Sequence, residues 1–144
     1  MQTQKITTFL WFEGSKAEEA AKFYASVFPS ATVLDVNPMT TTFELFGQRF
    51  IALNGKRGEQ PFTDAVSLFV DCEDQAEVDR YWDALTKDGG KESQCGWLKD
   101  KFGVSWQIIP RALGRLISNP KALQAMLKMK KIDVATLERA AREG

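Results

Sequence analysis

The chain contains no histidine. That absence removes Ser-His and Cys-His activation of a nucleophile, and with it every zinc or iron site that uses imidazole. Cysteine is scarce as well. Cys72 and Cys95 are the only two, too few for a four-thiolate zinc site, and oxygen donors alone favour magnesium or calcium. No apolar run has membrane-spanning length, and the opening Met1-Gln2-Thr3-Gln4-Lys5 lacks the pattern of an export signal. These absences predict a cytoplasmic protein, with a single disulfide left open by counting. An excess of charge is missing too: 19 Lys+Arg face 19 Asp+Glu, with no basic stripe interleaved with aromatics, so neither nucleic acid nor a membrane is an expected partner.

What is present is ordinary for one globular domain: 144 residues, 44% hydrophobic and 26% charged, enough to bury a core without a disulfide or a metal. Residues 5–12, rich in β-branched and aromatic side chains, predict a strand. Ser15 with Glu18 reads as a capping box opening a helix from Ala17 to Phe28, with Ala20, Phe23, Tyr24 and Val27 on one face and Pro29 as its stop. Strands are expected over 31–36, 40–46 and 48–53, the last two flanking a tight turn at Gly47. A loop follows over 54–62. The pattern then restarts with a strand over 65–70 and a helix over 74–87 bearing Val78, Tyr81, Trp82 and Leu85 on one face. Strands over 92–98 and 103–109 complete it. Beyond Pro110 lie a short helix over 112–117, a second opened by Pro120 and running towards Met129, and a third capped by Asp133.

The chain repeats itself. Shifted by roughly 58 positions, Phe12-Glu13 meets Val70-Asp71 and Phe23-Tyr24 meets Tyr81-Trp82. Shifted by roughly 56, Phe46-Gly47-x-x-Phe50 meets Phe102-Gly103-x-x-Trp106. The expectation is an α+β fold of paired βαβββ modules (halves about 1–60 and 61–110) forming a cupped mixed sheet, with residues 111–144 as a C-terminal helical tail packed on the domain or on a partner subunit. A concave sheet face is where a ligand would sit.

The run Gln94-Cys95-Gly96-Trp97-Leu98-Lys99-Asp100-Lys101-Phe102-Gly103-Val104-Ser105-Trp106-Gln107-Ile108-Ile109-Pro110 resembles the PhnB-like branch of the vicinal oxygen chelate superfamily. So do Phe43-Glu44-Leu45, the stretch from Phe50 to Gly55, and the tail segment from Met126 to Asp133. The superfamily includes glyoxalase I, extradiol dioxygenases, fosfomycin-resistance enzymes and bleomycin-binding proteins, and this branch is often labelled demethylubiquinone methyltransferase. No glycine-rich strand-to-helix loop supports a nucleotide-type cofactor, since Gly89-Gly90 stands alone. The resemblance implies metal-ligand positions near Thr7, Ile51, Ala65 and Gln107. None of these side chains supplies an anionic donor, so neither a metal nor another cofactor is expected.

If Gln107 faces the cup, alternation brings Ser105 and Ile109 with it. The rows Thr7/Phe9/Trp11, Arg49/Ile51/Leu53 and Ala65/Ser67/Phe69 would line the same pocket. Thr7, Phe9, Trp11, Arg49, Ser67, Phe69 and Gln107 are therefore the expected ligand-binding residues, suited to a partly aromatic molecule, with Arg49 matched to an anionic handle. The plainer reading is that these side chains fill a core or lie on an exposed strand. Glu44 could act as a general base and Cys95, near Lys91 and Lys99, as a reactive thiol, against the plainer readings of a solvated acid and a packed cysteine. Leu123, Met126, Leu127, Met129 and Ile132 form an apolar tail face, and the resemblance implies a homodimer. The leading expectation is metal-independent binding of a small molecule. A metal-independent enzyme using Glu44 or Cys95 and an interaction module built on the tail are its rivals.

Overall fold

In the first half of the chain, β1 (Thr8–Trp11), α1 (Ala17–Val27), β2 (Ala31–Val36), β3 (Thr40–Leu45) and β4 (Gln48–Leu53) follow in order and build a four-stranded sheet in the order β1-β4-β3-β2. The structure is a computed structural model that describes residues 4–55 and 61–143; residues 56–60 of the expected loop lie outside them. The second half repeats the arrangement with β5 (Leu68–Cys72), α2 (Gln75–Thr86), β6 (Lys91–Glu92), β7 (Trp97–Lys99) and β8 (Ser105–Pro110), in the order β5-β8-β7-β6. In each sheet the first strand pairs parallel with the last, and the other pairs are antiparallel. The chain divides into two compact units, Met1–Pro61 and Phe62–Gly144, so the expected pair of βαβββ modules is present and the tail belongs to the second of them.

Each module follows from its pattern of apolar residues. On α1, Ala17, Ala20, Ala21, Tyr24 and Val27 are buried, spaced three and four apart as one helical face requires. They meet the inward side of β3 and β4, where Tyr24 lies 5.9 Å from Phe43 and Phe43 stacks on Phe50 at 5.3 Å between ring centroids. Aromatic pairs of this kind add about 0.5–1.5 kcal/mol beyond the area they bury. The β3–β4 turn places Phe46 at φ 51° and Gly47 at φ 80°, the double left-handed geometry whose twist matches a hairpin. On α2, Val78, Tyr81, Trp82 and Leu85 are buried against the side of the second sheet that carries Leu98, Trp106 and Ile108.

Several boundaries differ from the sequence expectation. Ser15 does not cap α1. The Ala17 N–H donates instead to Asn54 Oδ1 at 2.8 Å, a partner brought by the end of β4. The capping arrangement belongs to α2, where Asp74 accepts from Glu77 N–H at 3.0 Å and Glu77 Oε1 accepts from Glu73 N–H at 2.8 Å. β5 starts at Leu68 rather than Ala65, because Thr63 folds the preceding residues into a turn, accepting from Ala65 N–H at its hydroxyl and from Val66 N–H at its carbonyl. The expected strand over 92–98 is broken into β6 and β7. Cys95 at φ 58° and Gly96 at φ 88° leave the extended region, and their N–H groups donate to Met129 and Lys130 carbonyls at 2.8 Å each.

Those two bonds join the tail to its module. Helices α3 (Leu113–Leu116), α4 (Pro120–Met126) and α5 (Val134–Glu143) enclose a cluster of Ile109, Leu113, Leu116, Ala122, Ile132 and Leu137, onto which Met126 and Met129 also pack. Asn119 and Asp133 cap α4 and α5. Gln75, on α2, donates to the Ile132 carbonyl at 2.9 Å and accepts from Val134 N–H at 2.8 Å, a side-chain clasp between helix and tail.

Candidate functional site

Strand alternation gives each sheet a face packed on its helix and a face turned away from it. In the first sheet the latter carries Phe9 and Trp11 of β1, Arg49, Ile51 and Leu53 of β4, and Thr40, Thr42 and Glu44 of β3, because Phe9 pairs with Ile51, Trp11 with Leu53 and Glu44 with Arg49. Thr7 lies just before β1 and contacts the Gln4 side chain. The Gln4 amide also mimics a strand residue: it donates to the Arg49 carbonyl and accepts from Arg49 N–H, both at 2.9 Å. The Phe9 ring is 54% exposed.

Among the described residues three buried side-chain polar atoms lack a hydrogen-bond partner: Trp11 Nε1, Arg49 Nε and Thr41 Oγ1. Each such group costs about 1–3 kcal/mol. The first two belong to the face turned away from α1. Arg49 is not a free cation, however, since its Nη2 lies 3.9 Å from Glu44 Oε2. That separation is too long for a hydrogen bond and leaves Glu44 opposite a counter-charge.

In the second sheet the corresponding face carries Ser67 and Phe69, Ser105, Gln107 and Ile109, and Trp97 and Lys99. Gln107 pairs with Phe69 on one side and Trp97 on the other. The polar groups are organised by short bonds. Gln107 Nε2 donates to Ser67 Oγ at 2.9 Å. Ser105, itself buried, donates from its hydroxyl to Asp64 Oδ1 at 2.6 Å, and Lys99 Nζ stands 3.8 Å from the same carboxylate oxygen. The Phe69 ring is 59% exposed beside them. Asp64, Trp97 and Lys99 were not singled out as site residues by sequence reasoning. Trp97 could have been found by continuing the alternation from Gln107 back around the β7–β8 turn; Asp64 could not, because it lies in a turn.

Of the four positions near which the resemblance puts metal ligands, Ile51 pairs with Phe9 and Gln107 with Phe69, Thr7 lies just before β1, and Ala65 is an exposed turn residue. Phenylalanine, isoleucine and one amide that already donates to Ser67 do not fit a divalent cation, which needs several charged or strongly polar donors. Among the described residues no group of three or more His, Cys, Asp or Glu side chains could hold a metal ion.

The cysteines are both free thiols. Burial pushes the Cys72 thiol up to about 12, with the nearby Glu77 and Asp71 carboxylates adding to the shift, so Cys72 stays protonated and inert at neutral pH. Cys95 is half-buried under the tail, its Sγ 3.7 Å from the Met126 carbonyl.

Comparison with known proteins agrees with this architecture. Residues 4–109 match the family model described as 3-demethylubiquinone-9 3-methyltransferase. A PhnB protein from Bacillus cereus described under the same enzyme name is 36% identical, with 74% of this chain and 99% of that one covered and a TM-score of 0.69. A glyoxalase-related enzyme from Fulvimarina pelagi (16% identity, 76% and 91% covered, TM-score 0.56) and a glyoxalase/bleomycin resistance protein from Albidiferax ferrireducens T118 (13% identity, 69% and 93% covered, TM-score 0.50) share the fold. No curated protein matches. Among the described residues no helix is long and apolar enough to cross a membrane. With more than two thirds of its length matched, the chain belongs to the PhnB-like family described as 3-demethylubiquinone-9 3-methyltransferase.

Proposed function

We propose that this protein binds a small, partly aromatic molecule without a metal, on the face of the second sheet turned away from α2. The observation that carries the reading is the row Trp97, Gln107 and Phe69: an amide held by Ser67 between two aromatic side chains, one of them largely exposed. Rings offer apolar contact at low entropic cost, and an oriented amide supplies direction. Phe9, Trp11 and Arg49 offer a comparable but less organised set on the first sheet.

The methyltransferase description of the family finds little support in the chain's own residues. The strand-to-helix segments hold one glycine, Gly14, between Phe12 and Lys16, and none between Cys72 and Gln75. The leading N–H groups of both helices are taken by Asn54 and Asp74. Catalysis by Glu44 or Cys95 is not favoured either, since Glu44 faces Arg49 and Cys95 lies beneath the tail. Docking through the tail is weakened because Met126, Met129 and Ile132 of its apolar face pack into their own module, although Leu127 stays exposed.

The test is a fragment titration of isotope-labelled protein followed by NMR, with and without chelator. Aromatic compounds should shift the Trp97 indole and Gln107 amide signals equally in both conditions, and Phe69→Ala with Gln107→Ala should weaken binding at least tenfold. Shifts that vanish with chelator, or affinities untouched by both substitutions, would sink the proposal.

A further inference from the structure

The second sheet's face is graded in composition from one end to the other, and the grading follows from its register. Lys91 pairs with Lys99, and Lys99 with Ser105, so these three form one row across β6, β7 and β8. The neighbouring pair Glu92 and Leu98 fixes which side that row is on. Leu98 is buried and Glu92 accepts from Trp82 Nε1 on α2 at 2.6 Å, so alternation turns Lys91 and Lys99 to the opposite side. The next row on that side is Trp97, Gln107 and Phe69. Beyond it Asp71 and Ile109 make the third row, where the tail packs over Ile109 and the Asp71 carboxylate stays exposed beside Arg111. A Cβ added at Gly96 would stand 2.6 Å from Ile109 Cδ1 and 3.2 Å from Ile132 Cγ1, so no space remains beside Gly96.

Like charges placed directly opposite one another on neighbouring strands are unfavourable. Lys91 and Lys99 are so placed, and the charges around them do not resolve the conflict. Among the described residues Lys99 is ion-paired with Asp64, which is 3.8 Å away and already bonded to Ser105. Among the described residues Lys91 has no ion pair. A bound anion between the two ammonium groups would relieve the repulsion.

Resting on the binding reading above, we infer that the ligand is an arene carboxylate or a similar aromatic anion, with its ring between Trp97 and Phe69 over the Gln107 amide and its charge towards Lys99 and Lys91. Trp97 and Phe69 stand two strand spacings apart, about 10 Å between backbones, which admits one flat ring. Successive rows on one face are about 7 Å apart, so the acid group sits on the ring itself or on a short link. The opposite orientation is disfavoured, because it would turn the acid group towards the Asp71 carboxylate and the apolar Ile109.

The experiment titrates benzoate, phenylacetate and neutral benzamide into the full-length protein at low salt, reading the Trp97 indole and Gln107 amide signals. The same titrations use Lys99→Gln and the double variant Lys91→Gln/Lys99→Gln, whose folding is checked by circular dichroism. The two acids should bind at least tenfold more tightly than benzamide. The double variant should erase that preference while benzamide binding stays the same, and added salt should weaken only the acids. Equal affinity for benzoate and benzamide, or acid binding that survives the double substitution, overturns the inference but leaves the aromatic site standing. If none of the three compounds moves either signal, the inference and the binding reading fall together.

Discussion

Glu44 and Asp100 each stand two residues before a Phe-Gly pair, Phe46-Gly47 and Phe102-Gly103, but Glu44 is still within β3 and Asp100 lies just past the end of β7, and they do different work. Glu44 is half-exposed on a sheet face, held loosely opposite Arg49. Asp100 is 3% exposed and staples its turn, accepting from Phe102 N–H at 2.8 Å, Val104 N–H at 3.1 Å and Trp106 Nε1 at 2.9 Å. The first module turns its hairpin with two left-handed residues and needs no staple. The second spans a longer loop whose N–H groups would otherwise be buried without partners. A repeated topology thus tolerates different solutions at its turns, because the backbone must be satisfied locally in each copy. The sheet faces differ in the same way. The first leaves donors of Trp11 and Arg49 unpartnered, whereas in the second Ser67, Gln107, Asp64 and Ser105 satisfy one another.

The sharpest way to break the comparison is to remove both acids separately. Asp100→Ala strands three donors at once and should cost roughly 4 kcal/mol of stability, at about 1–3 kcal/mol for each buried unmet group with partial rescue by water. Glu44→Ala breaks only a long, part-exposed ion pair and should cost about 0–1 kcal/mol. Urea denaturation of the two variants measures the difference, and equal losses would refute the assigned roles.

Two glycines give the next contrast. Both Gly96 and Gly47 are left-handed, but a methyl group at Gly47 meets nothing within 4 Å while one at Gly96 runs into Ile109 and Ile132. Gly47→Ala should therefore cost about 1 kcal/mol from backbone strain alone. Gly96→Ala adds overpacking and should reach about 3 kcal/mol, with faster amide exchange in α4 and α5 as the tail is pushed off.

The smallest effect concerns acid. A hydrogen bond from Gln75, and then Lys131 at 3.0 Å, lower the Asp79 carboxyl below its ordinary value. A group depressed in the folded state contributes stability above its unfolded value, about 3.9, and loses it as pH falls through the lower folded one. The contribution is small because the pair is solvent-screened. Gln75→Ala should flatten this part of the acid limb of the stability profile and loosen the tail. An unchanged limb would remove Gln75 from the role.

Much of this was legible beforehand. Helical spacing identified α1 and α2 with their buried faces, Gly47 marked the β3–β4 turn, and Pro120 and Asp133 marked the starts of tail helices, because each rests on neighbours in sequence. The failures share one cause. Ser15 lost the cap to Asn54, thirty-seven residues away from Ala17. The strand over 92–98 broke because the tail supplied carbonyl acceptors for Cys95 and Gly96. β5 began at Leu68 rather than Ala65 because a turn at Thr63 holds the residues before it.

By itself the sequence determined the repeated βαβββ order, the family, and the absence of imidazole, since composition and short-range periodicity carry those. Only the tertiary structure decided which side chains share a row. Row membership depends on strand register, and a register is set by contacts between segments far apart in the chain. Hence Lys91, Lys99, Trp97, Gln107 and Phe69, spread over thirty-nine residues, become one surface.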